Sequence, residues 1–252
     1  MIGIVGGVGP YAGLDLAKNI FDNTIAESDQ DHLPLVMLSM SETILDRTEY
    51  LLGEVVDNPG LAIADVLLRM EKTGATVAGI PCNTAHAEKI FSLTKQVLNE
   101  HDSQLKLLNM VEETINTIKV EYPNIKKVGV ISTTGSCLFE IYSKPLQLAG
   151  FEAIIPPEQV QEEIVHPAIY DKAYGIKANT NPVTERAKED LLDTIGLLQQ
   201  CGAELIIKGC TEIALAIPDQ IVNGVPTIDP SIVLARKLIE HENPSKLKPT
   251  IQ

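Results

Sequence analysis

An α/β fold is what the sequence predicts, built as two similar parallel-sheet, three-layer domains related by a pseudo-two-fold axis, with an active site in the cleft between them. Three observations carry this. Lys72-Thr73-Gly74-Ala75, an apolar run and Pro81-Cys82-Asn83-Thr84 are echoed by Gln200-Cys201-Gly202-Ala203, an apolar run and Gly209-Cys210-Thr211-Glu212, with Gly-Ala eight positions before the cysteine in both. The runs Thr76 to Ile80 and Leu205 to Ile207 are short and do not alternate, as expected of parallel strands buried on both faces. The interval from Gly3 to Cys82 is 79 positions and that from Gly129 to Cys210 is 81, so the halves match in length as well as pattern. The expected domains are 1–104 with about 222–252, and about 105–221.

In order, Ile2 to Val5 reads as a first strand and Gly6-Gly7-Val8-Gly9-Pro10 as a tight loop, with a helix over roughly Ala12 to Ala26. The loop fits neither the G-x-G-x-x-G register nor the P-loop pattern, so a nucleotide site is not supported. Leu35 to Leu38 is the second strand, followed by a polar loop holding Arg47. Asn58-Pro59 starts a helix, Asn as N-cap and Pro at the first helical position, whose core stripe is Ile63, Val66, Leu67 and Met70. The first cysteine strand, a helix near Ala85 to Leu98, a strand at Leu105 to Leu108 and a helix from Val111 complete the half.

The plan then restarts. Lys127 to Ile131 is a strand, Ser132 to Ser136 its loop, Cys137 to Leu148 a helix and Phe151 to Ile155 the next strand. A long loop with Lys172 and Lys177 follows. Asn181-Pro182 repeats the helix start, Leu191, Ile195 and Leu198 give the stripe, and the second cysteine strand follows. Thr227-Ile228 and a helix from Pro230 to His241 close the chain.

Composition excludes several classes. A net charge of −14 and the absence of a basic run argue against nucleic acid as partner. Four cysteines without C-x-x-C spacing fit neither a disulfide framework nor a zinc site and point to a reducing cytoplasm. Met1 runs straight into Ile2-Gly3-Ile4-Val5 without a basic leader, and no apolar stretch reaches membrane-spanning length, so no signal peptide or membrane partner is expected.

Both cysteines fall at the C-terminal ends of strands, where open α/β sheets bind ligands and a following helix favours thiolate. A lone buried cysteine there is ordinarily core. Two in equivalent positions of a duplicated chain suggest an opposed pair, one on each side of a shared substrate. Cys137 and Cys201 lack this context and are expected to be structural. Cys82 and His86 at i, i+4 lack further metal ligands, so no metal is expected and His86 reads as a hydrogen-bonding partner at the helix start.

Gly6-Gly7-Val8-Gly9-Pro10, Pro81-Cys82-Asn83-Thr84-Ala85-His86 and Gly209-Cys210-Thr211-Glu212 resemble the signatures of the cofactor-independent aspartate/glutamate racemase family, on its aspartate racemase branch. The resemblance spans nearly the whole chain. Glu212 stands where glutamate racemases usually carry His, which favours the aspartate-type branch, while Val8 and Gly13 replace the Met and Thr common in relatives. It implies an amino-acid substrate held between two domains, frequent homodimers and no pyridoxal phosphate or other cofactor. Cys82 and Cys210 are then the catalytic pair, and Asn83, Thr84, Ala85, Thr211 and Arg47 substrate ligands. The family lysine resembles Lys177, with Lys172 the alternative because this stretch is longer than usual.

Racemisation needs a proton removed from one face of the α-carbon and another returned to the opposite face, and thiols titrate near enough to neutrality to do both. Backbone N–H groups near Asn83, Thr84 and Thr211 and the hydroxyls of Thr133 or Ser136 are candidates to hold the α-carboxylate. Arg47 and Lys177 would hold carboxylates. Glu212 either positions Cys210 or accepts from the substrate ammonium. The expected reaction is conversion of L-aspartate to D-aspartate. A racemase of glutamate or of a broader amino-acid range, and a catalytically silent binding protein of the same fold, are the alternatives.

Overall fold

The computed structural model describes residues 1–249. The chain forms two compact units, Met1–Glu113 with the segment from Ser231 onward, and Thr114–Pro230.

In the first unit β1 (Ile2–Gly6) is buried along its whole length, as a central parallel strand must be. α1 (Pro10–Asn23) begins on Pro10, whose missing N–H is no loss at the first helical position. β2 (Leu35–Ser39) precedes α2 (Arg47–Leu52), capped by Asp46, whose carboxylate accepts from the N–H groups of Thr48 and Glu49. α3 (Pro59–Lys72) is capped by Asn58 and buries the expected stripe of Ile63, Val66, Leu67 and Met70. β3 (Val77–Gly79), a 3₁₀ turn at Asn83–His86, α4 (Glu88–Glu100), β4 (Lys106–Leu107) and α5 (Met110–Glu121) follow, α5 carrying the chain into the second unit. The strands are parallel in the order β2-β1-β3-β4. Ile2 and Ile4 pack on one face with Leu16 and Ile20 of α1 and with Leu234 and Leu238 from the last helix. Gly3 lies on the other face against Met70 of α3, where a Cβ would come within 3.3 Å of the sulfur. Helices thus cover both faces of the sheet.

The second unit repeats this plan with β5 (Lys127–Ser132), α6 (Thr134–Leu138), α7 (Ser143–Leu148) and β6 (Glu152–Ile154). A helical stretch follows, α8 (Glu158–Val160), a π-wound turn at Gln161–Val165 and α9 (His166–Tyr170). After α10 (Glu185–Gln200) come β7 (Leu205–Gly209), α11 (Thr211–Ala216), β8 (Ile221–Val222) and β9 (Val225–Ile228). α12 (Pro230–Glu242) returns to the first unit. The order is β6-β5-β7-β9-β8, parallel except for β8, which pairs antiparallel with β9. Without β8, each strand of one sheet has a counterpart in the other. The register repeats too: Gly3 faces Ala78 and Gly129 faces Ile206, and each cysteine stands four residues beyond that partner.

Several local readings differ from the observed structure. The units change at Glu113/Thr114 and Pro230/Ser231, against about 105 and 222 from the sequence, because β4 pairs with β3 and β9 with β7. Asn181-Pro182 does not start a helix: α10 begins three residues later, capped by Thr184. The single helix expected over Cys137 to Leu148 is split into α6 and α7, with Glu140 at φ 50° between them. The polar loop after β2 contains α2. Much of the long loop after β6 is helical, burying Val165, Ala168 and Ile169 at i, i+3, i+4.

Candidate active site

Cys82 lies just past β3, beside the end of β1. This is where the chain winds to opposite sides of the sheet, and it is the ligand-binding position of open α/β sheets. Cys82 is buried and extended, and it opens the tight turn Asn83-Thr84-Ala85-His86, all four residues buried. His86 closes that turn. Its Nε2 accepts the N–H of Met110 at 3.2 Å, which leaves Nδ1 protonated to donate to the Cys82 carbonyl at 2.9 Å. Burial pushes the imidazole down to about 4, so the ring is neutral at ordinary pH, and Phe91 packs against it with ring centroids 5.0 Å apart. His86 therefore fastens the Cys82 backbone to the first residue of α5.

The glycine loop after β1 has a steric explanation. Gly7 sits at φ 83°, and a Cβ there would stand 2.5 Å from the backbone nitrogen of Ser41. The glycines let this loop pack on the one after β2. Arg47 joins the same two loops, donating Nη2–H to the Val8 carbonyl at 2.7 Å and Nη1–H to the Leu45 carbonyl at 3.1 Å. It is 6% exposed, which rules out a solvated loop charge, and it donates to two backbone carbonyls.

In the second unit Cys210 occupies the equivalent position past β7, beside the end of β5, and opens α11. Its thiol donates to Glu212 Oε2 at 3.1 Å, and the Thr211 hydroxyl donates to the same oxygen at 3.1 Å. Lys177 Nζ pairs with the other oxygen, Oε1, at 2.9 Å. Burial drives Glu212 upward, but the Lys177 charge and the hydrogen bonds from Cys210 and Lys177 outweigh it and hold the carboxyl at about 2. Burial, then the neighbouring Glu212 charge, push the Cys210 thiol well above its ordinary value, with Lys177 opposing. The expected bias toward thiolate is thus reversed at Cys210: α11 is only six residues long, and a buried carboxylate sits beside the sulfur.

Of the two candidate lysines, Lys177 reaches Glu212, whereas Lys172 is exposed. Thr133 caps α6, its hydroxyl accepting the Ser136 N–H at 3.2 Å and donating to the Ser136 hydroxyl at 3.0 Å. Residues missed in the sequence back this cluster. Lys177 Nζ lies 5.6 Å from the Tyr170 ring centroid, Tyr170 stacks on His166 at 4.9 Å, and His166 Nδ1 shares a 3.0 Å hydrogen bond with the Thr134 hydroxyl. Gln161 Nε2 donates to the Ser132 carbonyl at 3.1 Å. The i, i+4 spacing of His166 and Tyr170 was the available signal, hidden by Pro167 in an apparent loop. All four cysteines are free thiols, Cys201 exposed and Cys137 partly so. Among the described residues no group of three or more His, Cys, Asp or Glu could hold a metal, and no helix is long and apolar enough to cross a membrane.

The fold and site define a class: a chain made of two copies of one parallel α/β plan, each placing a buried cysteine at the switch point of its sheet, with no nucleotide-type loop at either. A model of the Asp/Glu/Hydantoin racemase family matches residues 5–238, and the chain belongs to that family. It is similar to the aspartate racemase of Picrophilus torridus, 27% identical with a TM-score of 0.79 over 98% of this chain and 95% of that one. The broad specificity amino-acid racemase RacX of Bacillus subtilis (strain 168) is 27% identical over 247 residues, 95% of this chain and 96% of the relative. A glutamate racemase from Francisella tularensis subsp. tularensis SCHU S4 shares the fold, at 15% identity and a TM-score of 0.63 over 100% of this chain and 84% of that one.

Proposed function

We propose that the protein racemises an acidic amino acid, aspartate, without a cofactor, using Cys82 and Cys210 as two acid/base groups. The observation that carries this reading is the repeated register, which sets each cysteine four residues past the strand residue paired with Gly3 or Gly129. In the reaction one sulfur, as thiolate, takes the α-proton from one face, and the other, as thiol, gives its proton to the opposite face. One C–H bond breaks and one forms, and the two sulfurs exchange protonation states. Cys210, held as a thiol by burial and Glu212, suits the donor's part in the resting protein, which gives Cys82 the part of base. Asn83, Thr84, Ala85 and Thr211, with the Thr133 and Ser136 hydroxyls, are assigned to the α-carboxylate, and Arg47 to carboxylate binding through the loops it joins. A homodimer in a reducing cytoplasm accompanies this reading, because oxidation of either thiol would stop the reaction.

A racemase of broader range is the second reading. Lys177, the cation expected to meet a side-chain carboxylate, is already neutralised by Glu212, and the similarity to RacX points the same way. Incubating pure L- and D-enantiomers of aspartate, glutamate and several neutral amino acids without cofactor, and following optical rotation, tests both. Decay of aspartate rotation alone supports the first reading and decay across the panel the second. A panel that holds its rotation defeats both.

A further inference from the structure

We infer that Lys177 and Glu212 form a charge couple that sets the proton affinity of Cys210, and that Lys177 is a positioning residue acting through Glu212 rather than a ligand for the substrate side chain. The inference rests on the reading of Cys210 as one of the two proton-transfer thiols.

Three donors converge on one buried carboxylate: Cys210 Sγ and Thr211 Oγ1 on Oε2, each at 3.1 Å, and Lys177 Nζ on Oε1 at 2.9 Å. The two oxygens are divided between thiol and ammonium. A thiolate at Cys210 would lose the hydrogen bond to Oε2 and meet a negative charge in its place, so Glu212 favours the thiol. The ammonium on the other oxygen cancels much of that charge, so Lys177 favours the thiolate. Among the described residues, Glu212, on α11, and Lys177, beyond α9, are the charged groups acting on the Cys210 sulfur. Their opposition keeps the thiol protonated at rest yet able to give up its proton during turnover.

The backing of Lys177 indicates why the couple is stable. Its ammonium lies over Tyr170, whose ring stacks on His166, and His166 is held by Thr134 at the start of α6. The π-wound turn at Gln161–Val165 directly precedes His166. π turns often occur at functional positions.

The test follows the rate of Cys210 alkylation by iodoacetamide against pH, site by site by mass spectrometry, in the unaltered protein and in Glu212→Gln, Lys177→Met and the double variant. The midpoint is expected to fall by about one pH unit in Glu212→Gln and to rise by about one unit in Lys177→Met. At a fixed pH below the midpoints these shifts correspond to about tenfold faster and tenfold slower alkylation. The double variant should lie between them. A midpoint that stays put in either single variant, or moves the same way in both, overturns the couple. Thiolate ultraviolet absorbance in a Cys82→Ser, Cys137→Ser, Cys201→Ser background reads the same titration without a reagent that must reach the sulfur. Neither measurement needs turnover, so opposed shifts in a protein that racemises nothing would uphold the couple and reject the proposed function.

Discussion

His86 donates its Nδ1–H to the carbonyl of Cys82 across 2.9 Å while its Nε2 receives the N–H of Met110. Removing the ring takes one hydrogen bond from each of two buried backbone groups, worth about 0.5–1.5 kcal/mol apiece, and opens a gap against Phe91. His86→Ala is therefore expected to lower stability by a few kcal/mol and to reduce kcat, since the Cys82 turn loses its fastening. Urea denaturation alongside steady-state kinetics checks both.

The same ring predicts a pH dependence. Its folded-state value lies near 4 against an ordinary 6.5, so between these limits the unfolded chain binds the extra proton. The contribution is fully present above about 6.5, is lost as pH falls toward 4 at a slope of up to about 1.4 kcal/mol per pH unit, and is level below. A denaturation series across this range should show the slope in the native protein and a shallower one in His86→Gln.

Arg47→Lys keeps the charge but loses the planar fork that reaches Val8 and Leu45 together. A loss of about 1–3 kcal/mol is expected from two hydrogen bonds made by a buried charged group. KM for aspartate should rise, because both joined loops border the Cys82 end of the sheet. An unchanged melting temperature with a raised KM would show that Arg47 acts on the substrate alone.

The strands were legible because buried parallel strands need continuous apolar runs, and Ile2 to Val5, Lys127 to Ile131 and Leu205 to Ile207 supply them. The two cysteines were legible because duplication sets them at one spacing in both halves. α2 was hidden because six residues with little apolar pattern owe their helix to the Asp46 cap. The Lys177–Glu212 pair was hidden because 35 residues separate its members and only the path of the chain after α9 brings them together. Asn181-Pro182 misled because Asn-Pro suits a turn as well as a helix start, and Thr184 provided the cap instead.

Gly7→Ala tests the steric account of the first loop. The added methyl must fit at φ 83° and against the Ser41 nitrogen at 2.5 Å, so the loops must separate. A destabilisation of about 1–3 kcal/mol is expected. Gly53→Ala is the control, since Gly53 has a similar φ of 82° but open space around its Cβ position. The difference in their denaturation midpoints isolates the clash from the backbone strain.

The two-thiol reading makes the sharpest demand on kinetics. With one acid/base group for each face of the α-carbon, Cys82→Ser and Cys210→Ser should each lower racemisation by about 10³-fold or more, because a serine hydroxyl neither ionises near neutrality nor returns a proton as readily. Both variants should stay folded, since the exchanged atom is one sulfur in a buried turn. Cys137→Ser and Cys201→Ser should remain active, because Cys137 bonds to Ser132 and Gln161 and Cys201 is an exposed helix end. Following α-proton exchange in deuterated solvent separates the two roles. A variant that keeps one functional thiol can exchange the proton of the enantiomer presenting it to that face, and Cys82→Ser and Cys210→Ser should differ in which enantiomer exchanges. Near-normal racemisation by either variant would leave the two-thiol mechanism without a basis.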